Sequence, residues 1–163
     1  MTMRTISPEH IEAVLALANS SPFNRLAGIS VVSISPGRSE IEVDVTRGIS
    51  NSMGSIHGGA YATMLDALTY WAVYCDVGEG DGLVTVDLHV HDISSVRSIE
   101  GARLRGVGKA LKVGRTLCIS EGRIEDEEGH LLAFGTSTVM ILPGRGDLIG
   151  PSLPPKFLDD AMP

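Results

Sequence analysis

The chain has few cysteines and no long hydrophobic run, and these absences exclude several classes of protein. Among its 163 residues only Cys75 and Cys118 are cysteines, and both fall inside apolar segments without paired spacing. We therefore predict that both cysteines are small core residues and that the chain has no disulfide framework. No stretch approaches the length of a membrane-spanning helix, and the N-terminus lacks the apolar core of a signal peptide. We expect a cytoplasmic protein with no membrane partner.

Net positive charge is also lacking, which argues against a nucleic-acid partner. The formal net charge is −7 at pH 7, whereas a nucleic-acid-binding domain is expected to present a basic face. No serine stands in a G-x-S-x-G motif, and the segment Gly106-Val-Gly108-Lys109 lacks the spacing of a phosphate-binding loop. A serine hydrolase is therefore disfavoured. The 43% of hydrophobic residues suits one domain with a sizeable core.

The hydrophobic periodicity predicts an α+β fold with one long central helix. Apolar residues recur at three- and four-residue steps over residues 58–74, which places them on one side of a helix. A shorter amphipathic helix is predicted over about residues 8–19, with Ser7 as its cap. One long helix against a mostly antiparallel sheet of five or six strands is an α+β arrangement. The predicted strands cover residues 28–35, 38–45, 83–91, 103–113, 115–125 and 130–141.

The composition changes at Pro143, where glycine and proline become frequent. We therefore predict a single domain over residues 1–142 and a loose, extended tail over residues 143–163. Such a tail is able to lie on a neighbouring subunit.

The segment from Asn51 to Asp66 places a glycine pair at the predicted helix start and a carboxylate further along the helix. Gly58 and Gly59 lack side chains, so a carbonyl group can approach their N–H groups at the positive end of the helix dipole. The same groups would stabilise an oxyanion. Asp66 lies nearly opposite the apolar stripe, among small and aromatic residues. An Asp on the polar face of a helix is usually a surface residue without a function, but the uncharged neighbours of Asp66 favour a functional role. The glycine pair and the carboxylate together are an arrangement for acyl chemistry.

The distance between these groups predicts a shared site. Eight residues of helix separate Gly58 from Asp66 by roughly 12 Å, which is too far for both to touch one reacting carbon. If both act in one reaction, the carboxylate comes from a second subunit. A two-fold dimer with two such helices antiparallel would place Asp66 of one chain beside the glycines of the other.

These residues resemble the hotdog-fold thioesterases, in particular the PaaI-like acyl-CoA thioesterases. The resemblance covers about residues 20–142 and rests on the family's spacing of a central group of residues. That group consists of Asn51, Gly54, His57-Gly58-Gly59 and Asp66, supported by Ser21-Pro22-Phe23, Val86-Asp87-Leu88 and Val113-Gly114-Arg115-Thr116. The resemblance implies a hotdog fold and hydrolysis of an acyl-CoA thioester, with no cofactor beyond the CoA of the substrate. We expect self-association into a dimer and, beyond it, a tetramer.

The resemblance also implies a role for each site residue. Asp66 would activate the attacking water or attack the thioester itself, and an amide of the glycine pair would polarise the thioester carbonyl. Asn51 would place the water or the carbonyl, and His57 would brace the turn. Thr85 falls where the family carries a Ser or Thr that orients the nucleophilic water.

The chain departs from the family after Val86-Asp87-Leu88, where an aromatic residue and a proline are usual and this chain continues with His89. The departure concerns the wall of the acyl pocket and not the catalytic group. Alternation along the strand predicts that Thr85, Asp87, His89 and His91 share one face, a geometry in which a divalent metal binds. Three potential ligands without an obvious fourth more often form a polar sheet face, so we expect no metal.

A basic stretch from Arg97 to Arg115 contrasts with the acidic chain. It contains candidate ligands for the phosphates of coenzyme A, foremost Lys112 and Arg115, which flank a predicted hairpin turn at Gly114. An equally good explanation of the basic stretch is that charged side chains on strands prevent sheet edges from aggregating.

Two alternatives to hydrolysis stay open. A hydratase or dehydratase of the same fold would act on an acyl thioester, but it usually needs an Asp–His pair in one site, and His57 is better placed as a turn brace. A non-catalytic acyl-CoA sensor would not need Asp66.

Overall fold

The computed structural model describes residues 5–94, 96–97, 100–150 and 153–158. Six antiparallel strands form one sheet in the order β1-β2-β4-β5-β6-β3, and a long helix lies across it. This confirms the predicted α+β arrangement. The helices are α1 (Pro8–Ser20), α2 (Pro22–Ala27) and α3 (Gly58–Tyr74), and the strands are β1 (Ile29–Ser35), β2 (Arg38–Asp44), β3 (Gly82–Asp92), β4 (Arg103–Val113), β5 (Leu117–Glu125) and β6 (Leu131–Leu142).

Helix α3 has the bounds that the periodicity predicts, and its apolar side faces the sheet. Met64, Leu65 and Leu68 are completely buried in the main hydrophobic core. Cys75 and Cys118 are free and buried, as expected of small core residues. The long apolar stripe of α3 therefore provides the centre of the core.

Glycines in the sheet allow α3 to approach closely. Gly108, Gly122 and Gly135 stand opposite one another on β4, β5 and β6 and form a row beneath the helix. A Cβ atom at Gly108 would lie 2.4 Å from the Leu68 carbonyl oxygen. Beside this row the Ser39 hydroxyl donates to the same carbonyl at 2.7 Å. The Gly106-Val-Gly108 segment therefore serves helix packing, because a side chain at either glycine would push the helix away.

The short helix α2 was not predicted from the sequence. Pro22 stands in its first turn, and Gly28 ends it in the left-handed conformation at φ 69°. A Cβ atom at Gly28 would also lie 2.7 Å from the Asp44 carbonyl oxygen, so glycine is needed there for two reasons. Because of this turn, β1 begins at Ile29 and not at Gly28 as predicted. Phe23, on α2, is exposed near α3.

The prediction of a loose C-terminal tail is wrong for residues 153–158. The Ser7 N–H donates to the Lys156 carbonyl at 2.9 Å, and Phe157 forms a β-bridge with Ile6. Lys156 is only 4% exposed, and its Nζ donates to the Tyr74 and Val77 carbonyls at the end of α3. Residues 151–152 and 159–163 of the predicted tail lie outside the described residues. The segment is ordered by this buried cation, which composition does not indicate.

Burial lowers the pKa of Lys156 to about 8, although Cys75, Asp76, Asp81 and Glu79 oppose the shift. Between pH 8 and the ordinary value of 10.5 the unfolded chain holds a proton that the folded chain has lost, so the free energy of unfolding rises with pH. Relative to Lys156→Met, we expect a gain of up to about 3 kcal/mol across this window and none below it. Urea unfolding of both proteins from pH 7 to 10.5 measures the difference. A constant difference would contradict the burial of a charged amine.

Within the described residues, no helix is both long and apolar enough to cross a membrane.

Candidate functional site

His57 caps the start of α3. Its backbone is extended, and its Nδ1 accepts the Gly59 N–H at 2.8 Å. This bond occupies one of the two amides proposed to polarise the thioester carbonyl. Among the described residues the Gly58 N–H has no acceptor, so Gly58 is the amide left for a substrate.

Space beside Gly58 is limited by Asp92, the last residue of β3. A Cβ atom at Gly58 would lie 2.6 Å from Asp92 Oδ2, so a side chain here would require the Asp92 carboxylate to shift. The same contact brings a negative charge to the helix start, where an oxyanion would be repelled. Asp92 is exposed, so its side chain has room to turn away from the Gly58 amide.

Asn51 organises the loop that precedes α3. Its Oδ1 accepts two backbone N–H groups, from Met53 at 2.9 Å and from Ser55 at 3.1 Å. Its own N–H donates to the Ser55 carbonyl at 2.8 Å. The side-chain carbonyl is therefore fully used, and only the NH₂ group of Asn51 remains for a substrate or water.

Asp66 and Thr85 meet at the other half of the candidate site. The Thr85 hydroxyl donates to Asp66 Oδ1 at 2.9 Å, which fixes one carboxylate oxygen, and among the described residues Oδ2 has no hydrogen-bond partner. Asp66 is exposed on the face of α3 opposite the core, as the helical wheel predicts. The strand therefore brings a hydroxyl to the carboxylate that the helix presents.

A β-bulge explains why Thr85 can reach Asp66. Thr85 pairs with Val139 and Asp87 pairs with Thr138, so Val86 has no partner between them. The extra residue reverses the alternation of side chains along β3. The prediction that Thr85 shares a face with Asp87 is therefore wrong: Thr85 faces α3, whereas Asp87 lies on the outer face.

The polar outer face of β3 follows from the same bulge. Asp87 Oδ1 accepts the Thr138 N–H at 3.1 Å, and the His91 ring stacks on Phe134 with centroids 5.0 Å apart. His89 Nε2 is 4.0 Å from the Asp87 carboxylate, too long for a hydrogen bond. The described part of the chain contains no group of three residues able to hold a metal ion.

A cavity of about 420 Å³ lies beside Asp66. Helix α3 contributes one wall, while α2 and β3 contribute the others. Sequence reasoning did not assign Trp71, Asn24 or Leu88 to the site. The sequence carries no signal for these residues, because the exposure of the neighbouring Phe23 ring, at 58%, becomes apparent only in the fold. The lining consists of Phe23, Asn24, Ala62, Thr63, Asp66, Ala67, Tyr70, Trp71 and Leu88.

Burial and the charge of Asp66 together raise the pKa of Tyr70 to about 12. Its phenol therefore stays protonated at neutral pH and is a hydrogen-bond donor in the cavity wall. A larger cavity of about 730 Å³ lies beside Tyr74 and Lys156 and contains none of the predicted site residues.

The two halves of the candidate site do not meet within one chain. Gly58 and Asp66 are eight helical residues apart, roughly 12 Å along the axis. Strand β3, which carries Thr85, is an edge of the sheet and pairs only with β6 among the described strands. Val86 on this edge is 56% exposed. The edge next to Asp66 is therefore open to pairing with another chain.

The basic stretch divides into paired and unpaired cations. Arg103 binds Glu42 at 3.2 Å and Asp44 at 3.3 Å on the outer face of the sheet. Among the described residues, Lys112 and Arg115 have no carboxylate within ion-pair distance, and both are exposed. They therefore remain available for a ligand.

The same two cations lie far from Thr85 within one chain. Thr85 on β3 pairs with Val139 on β6, Val139 pairs with Cys118 on β5, and Cys118 pairs with Val113 at the end of β4. Three strand spacings therefore separate Thr85 from Val113, a distance of roughly 14 Å.

Comparison with known proteins gives the family. The model of the thioesterase superfamily matches residues 53–133, and a model of a domain of unknown function matches residues 12–88. Human acyl-coenzyme A thioesterase 13 is 30% identical over 129 residues, covering 78% of this chain and 90% of that protein. Zebrafish thioesterase superfamily member 2 has a TM-score of 0.66 at 28% identity, covering 79% of this chain and 93% of that one. A thioesterase from Haemophilus influenzae has a TM-score of 0.76 at 19% identity, covering 87% and 96%.

A long helix laid across a six-stranded antiparallel sheet, matched by these structures, defines the hotdog thioesterase fold. The chain belongs to the thioesterase superfamily and is a thioester hydrolase. Both the expected fold and the expected reaction class are thus confirmed.

Proposed function

We propose that this protein hydrolyses acyl-CoA thioesters to a free acid and CoA, with Asp66 as general base or nucleophile. The observation that carries the proposal is the hydrogen bond from Thr85 to Asp66 at the wall of a largely apolar cavity. A carboxylate that is held at one oxygen and open at the other is arranged to accept a proton. The relatives named acyl-coenzyme A thioesterase support the substrate class.

In the general-base route, Asp66 Oδ2 takes a proton from water while the water oxygen bonds to the thioester carbon. Negative charge then develops on the carbonyl oxygen, where the Gly58 N–H and the helix dipole of a second chain would stabilise it. Collapse of this intermediate breaks the carbon–sulfur bond, and the proton on Asp66 passes to the departing thiolate. Asn51 positions water or carbonyl through its NH₂ group, and His57 holds the turn in shape.

The alternatives have less support. No histidine lines the cavity beside Asp66 among the described residues, and His57 already binds Gly59. Within one chain, Asp66 therefore has no histidine partner among the described residues, as a hydratase or dehydratase would need. A non-catalytic sensor has no need of the hydrogen-bonded carboxylate. Release of free thiol from a panel of acyl-CoAs is the test, and binding without thiol release would support the sensor.

The assembly and location belong to the same proposal. A two-fold dimer formed through the open β3 edges would bring Asp66 and Thr85 of one chain toward Gly58 and Asn51 of the other. A tetramer would arise from pairing of such dimers, and the cytoplasm is the expected compartment. No metal or separate cofactor is required.

We expect Lys112→Ala and Arg115→Ala each to raise the KM for acyl-CoA by about two- to fivefold, with little change in kcat. The reason is that these exposed cations would bind the phosphates of CoA, remote from the reacting carbon. The interaction is screened over roughly 10 Å at 0.1 M ionic strength, so added salt should raise the wild-type KM. Steady-state kinetics at several salt concentrations measure both effects.

The matched control is Arg103→Ala, because the charge of Arg103 is already paired with Glu42 and Asp44. Its KM should be close to that of the wild type. A second control is an acyl thioester of N-acetylcysteamine, which lacks phosphates and should be hydrolysed alike by all variants. An unchanged KM in both variants and no response to salt would remove Lys112 and Arg115 from the site.

A further inference from the structure

A series of aromatic rings in contact joins the cavity beside Asp66 to the C-terminal segment 153–158. Tyr70 and Trp71, in the cavity wall, meet edge to face with centroids 5.0 Å apart. Trp71 meets Tyr74 edge to face at 5.3 Å, one helical turn further on. Tyr74 in turn stacks on His10 of α1 at 5.9 Å. We call these four residues the aromatic column.

The C-terminal segment holds the far end of this column. The Pro154 carbonyl is 2.6 Å from His10 Nδ1, and because a carbonyl only accepts, Nδ1 carries the proton. In the neutral ring Nε2 then accepts the Tyr74 hydroxyl at 2.7 Å. The Lys156 ammonium lies over the Tyr74 ring, 4.3 Å from its centroid. Tyr74 is thus fixed at its hydroxyl and on its face.

Lys156 is positioned by the end of helix α3, and among the described residues no carboxylate lies within ion-pair distance of its Nζ. Its Nζ donates to the Tyr74 and Val77 carbonyls, at the negative end of the helix dipole. Burial of an ammonium group without a salt bridge is costly, so stability alone is a poor reason for a lysine at this place. The orientation that it imposes on the Tyr74 ring is a better one.

We infer that Lys156 is a positioning residue for the acyl pocket: it holds Tyr74, Tyr74 holds Trp71, and Trp71 forms the wall that meets the acyl group. The inference rests on the proposed function for the identity of the pocket. The C-terminal segment therefore influences which acyl groups are accepted, although it lies beyond the pocket. Loss of the Lys156 contact frees the Trp71 ring and alters the shape of the wall.

The test uses Lys156→Met, which keeps the length of the side chain but removes its charge and donors. Trp71 is the only tryptophan in the chain, so intrinsic fluorescence reports directly on the pocket wall. We expect a shifted Trp71 emission. We also expect the ratio of kcat/KM between hexanoyl-CoA and decanoyl-CoA to change by about two- to tenfold. Lys156→Arg, which retains a cation and donors, should restore much of the wild-type ratio and emission.

The matched control is Leu104→Ala in β4, a buried core residue outside the aromatic column. It should lower the melting temperature without changing the acyl ratio or the emission. If Lys156→Met does not fold, Tyr74→Leu removes the ring while Lys156 remains, and the same shifts are expected. Wild-type ratio and emission in the folded Lys156 and Tyr74 variants, or equal changes in Leu104→Ala, would overturn the inference. If the wild type hydrolyses no acyl-CoA, the proposed function fails, whereas the emission of these variants still tests the column.

Discussion

Asp66→Asn should reduce thioester hydrolysis by about 10²- to 10⁴-fold while the protein remains folded. An amide does not accept the proton of the attacking water, and it is a poor nucleophile. The substitution keeps the size of the side chain and an oxygen that can still accept the Thr85 hydroxyl. Asp66 is exposed and contributes little to the core, so thermal melting should stay near that of the wild type. Asp66→Ala should lose activity to a similar extent.

The matched control is Asp87→Asn, which changes a carboxylate two residues from Thr85 along β3 but on the outer face of that strand. Its backbone contact with Thr138 can be made equally by an amide oxygen, so activity should be retained. Thr85→Val should cause a smaller loss than Asp66→Asn, because the base remains while its orientation is lost. Near-normal turnover in Asp66→Asn would refute its role, and a collapsed melting transition would make Asp66 a structural residue.

Local patterning was sufficient to predict the helix that carries the site. The apolar repeat of α3 continues for its whole length, and each strand has enough apolar residues to be recognised within a few positions of its bounds. The position of Asp66 away from the core follows from the same helical wheel. The first helical residue, Gly58, was also predictable because a glycine pair follows the cap residue His57.

Features that depend on contacts between distant segments could not be read from the sequence. The bulge at Val86 is a property of the pairing between β3 and β6, so simple alternation wrongly predicts that Thr85 shares a face with Asp87. The packing of Lys156 onto the end of α3 joins residues about 80 positions apart. In the sequence, Trp71 is indistinguishable from any other residue of an amphipathic helix. Its place in the site depends on α2 and Leu88, which enclose the cavity beside it.

Mixed dimers of two inactive variants should recover about a quarter of the wild-type activity. Gly58 and Asp66 lie roughly 12 Å apart along α3, so in the proposed dimer each complete site would take one half from each chain. Asp66→Ala damages one half. Asn51→Ala damages the other by removing the side chain that receives the Met53 and Ser55 amides. The two variants are refolded together, and thiol release is compared with that of each variant refolded alone.

The expected fraction follows from counting sites. Random pairing of equal amounts makes about half of the dimers mixed, and each mixed dimer contains one intact site and one site damaged in both halves. Two different affinity tags allow mixed dimers to be isolated, and these should reach about half of the wild-type activity per dimer. Wild-type protein co-refolded with Asp66→Ala controls for refolding yield. If isolated mixed dimers remain as inactive as their parents, each site is built from one chain, and Asp66 must act with groups of its own subunit.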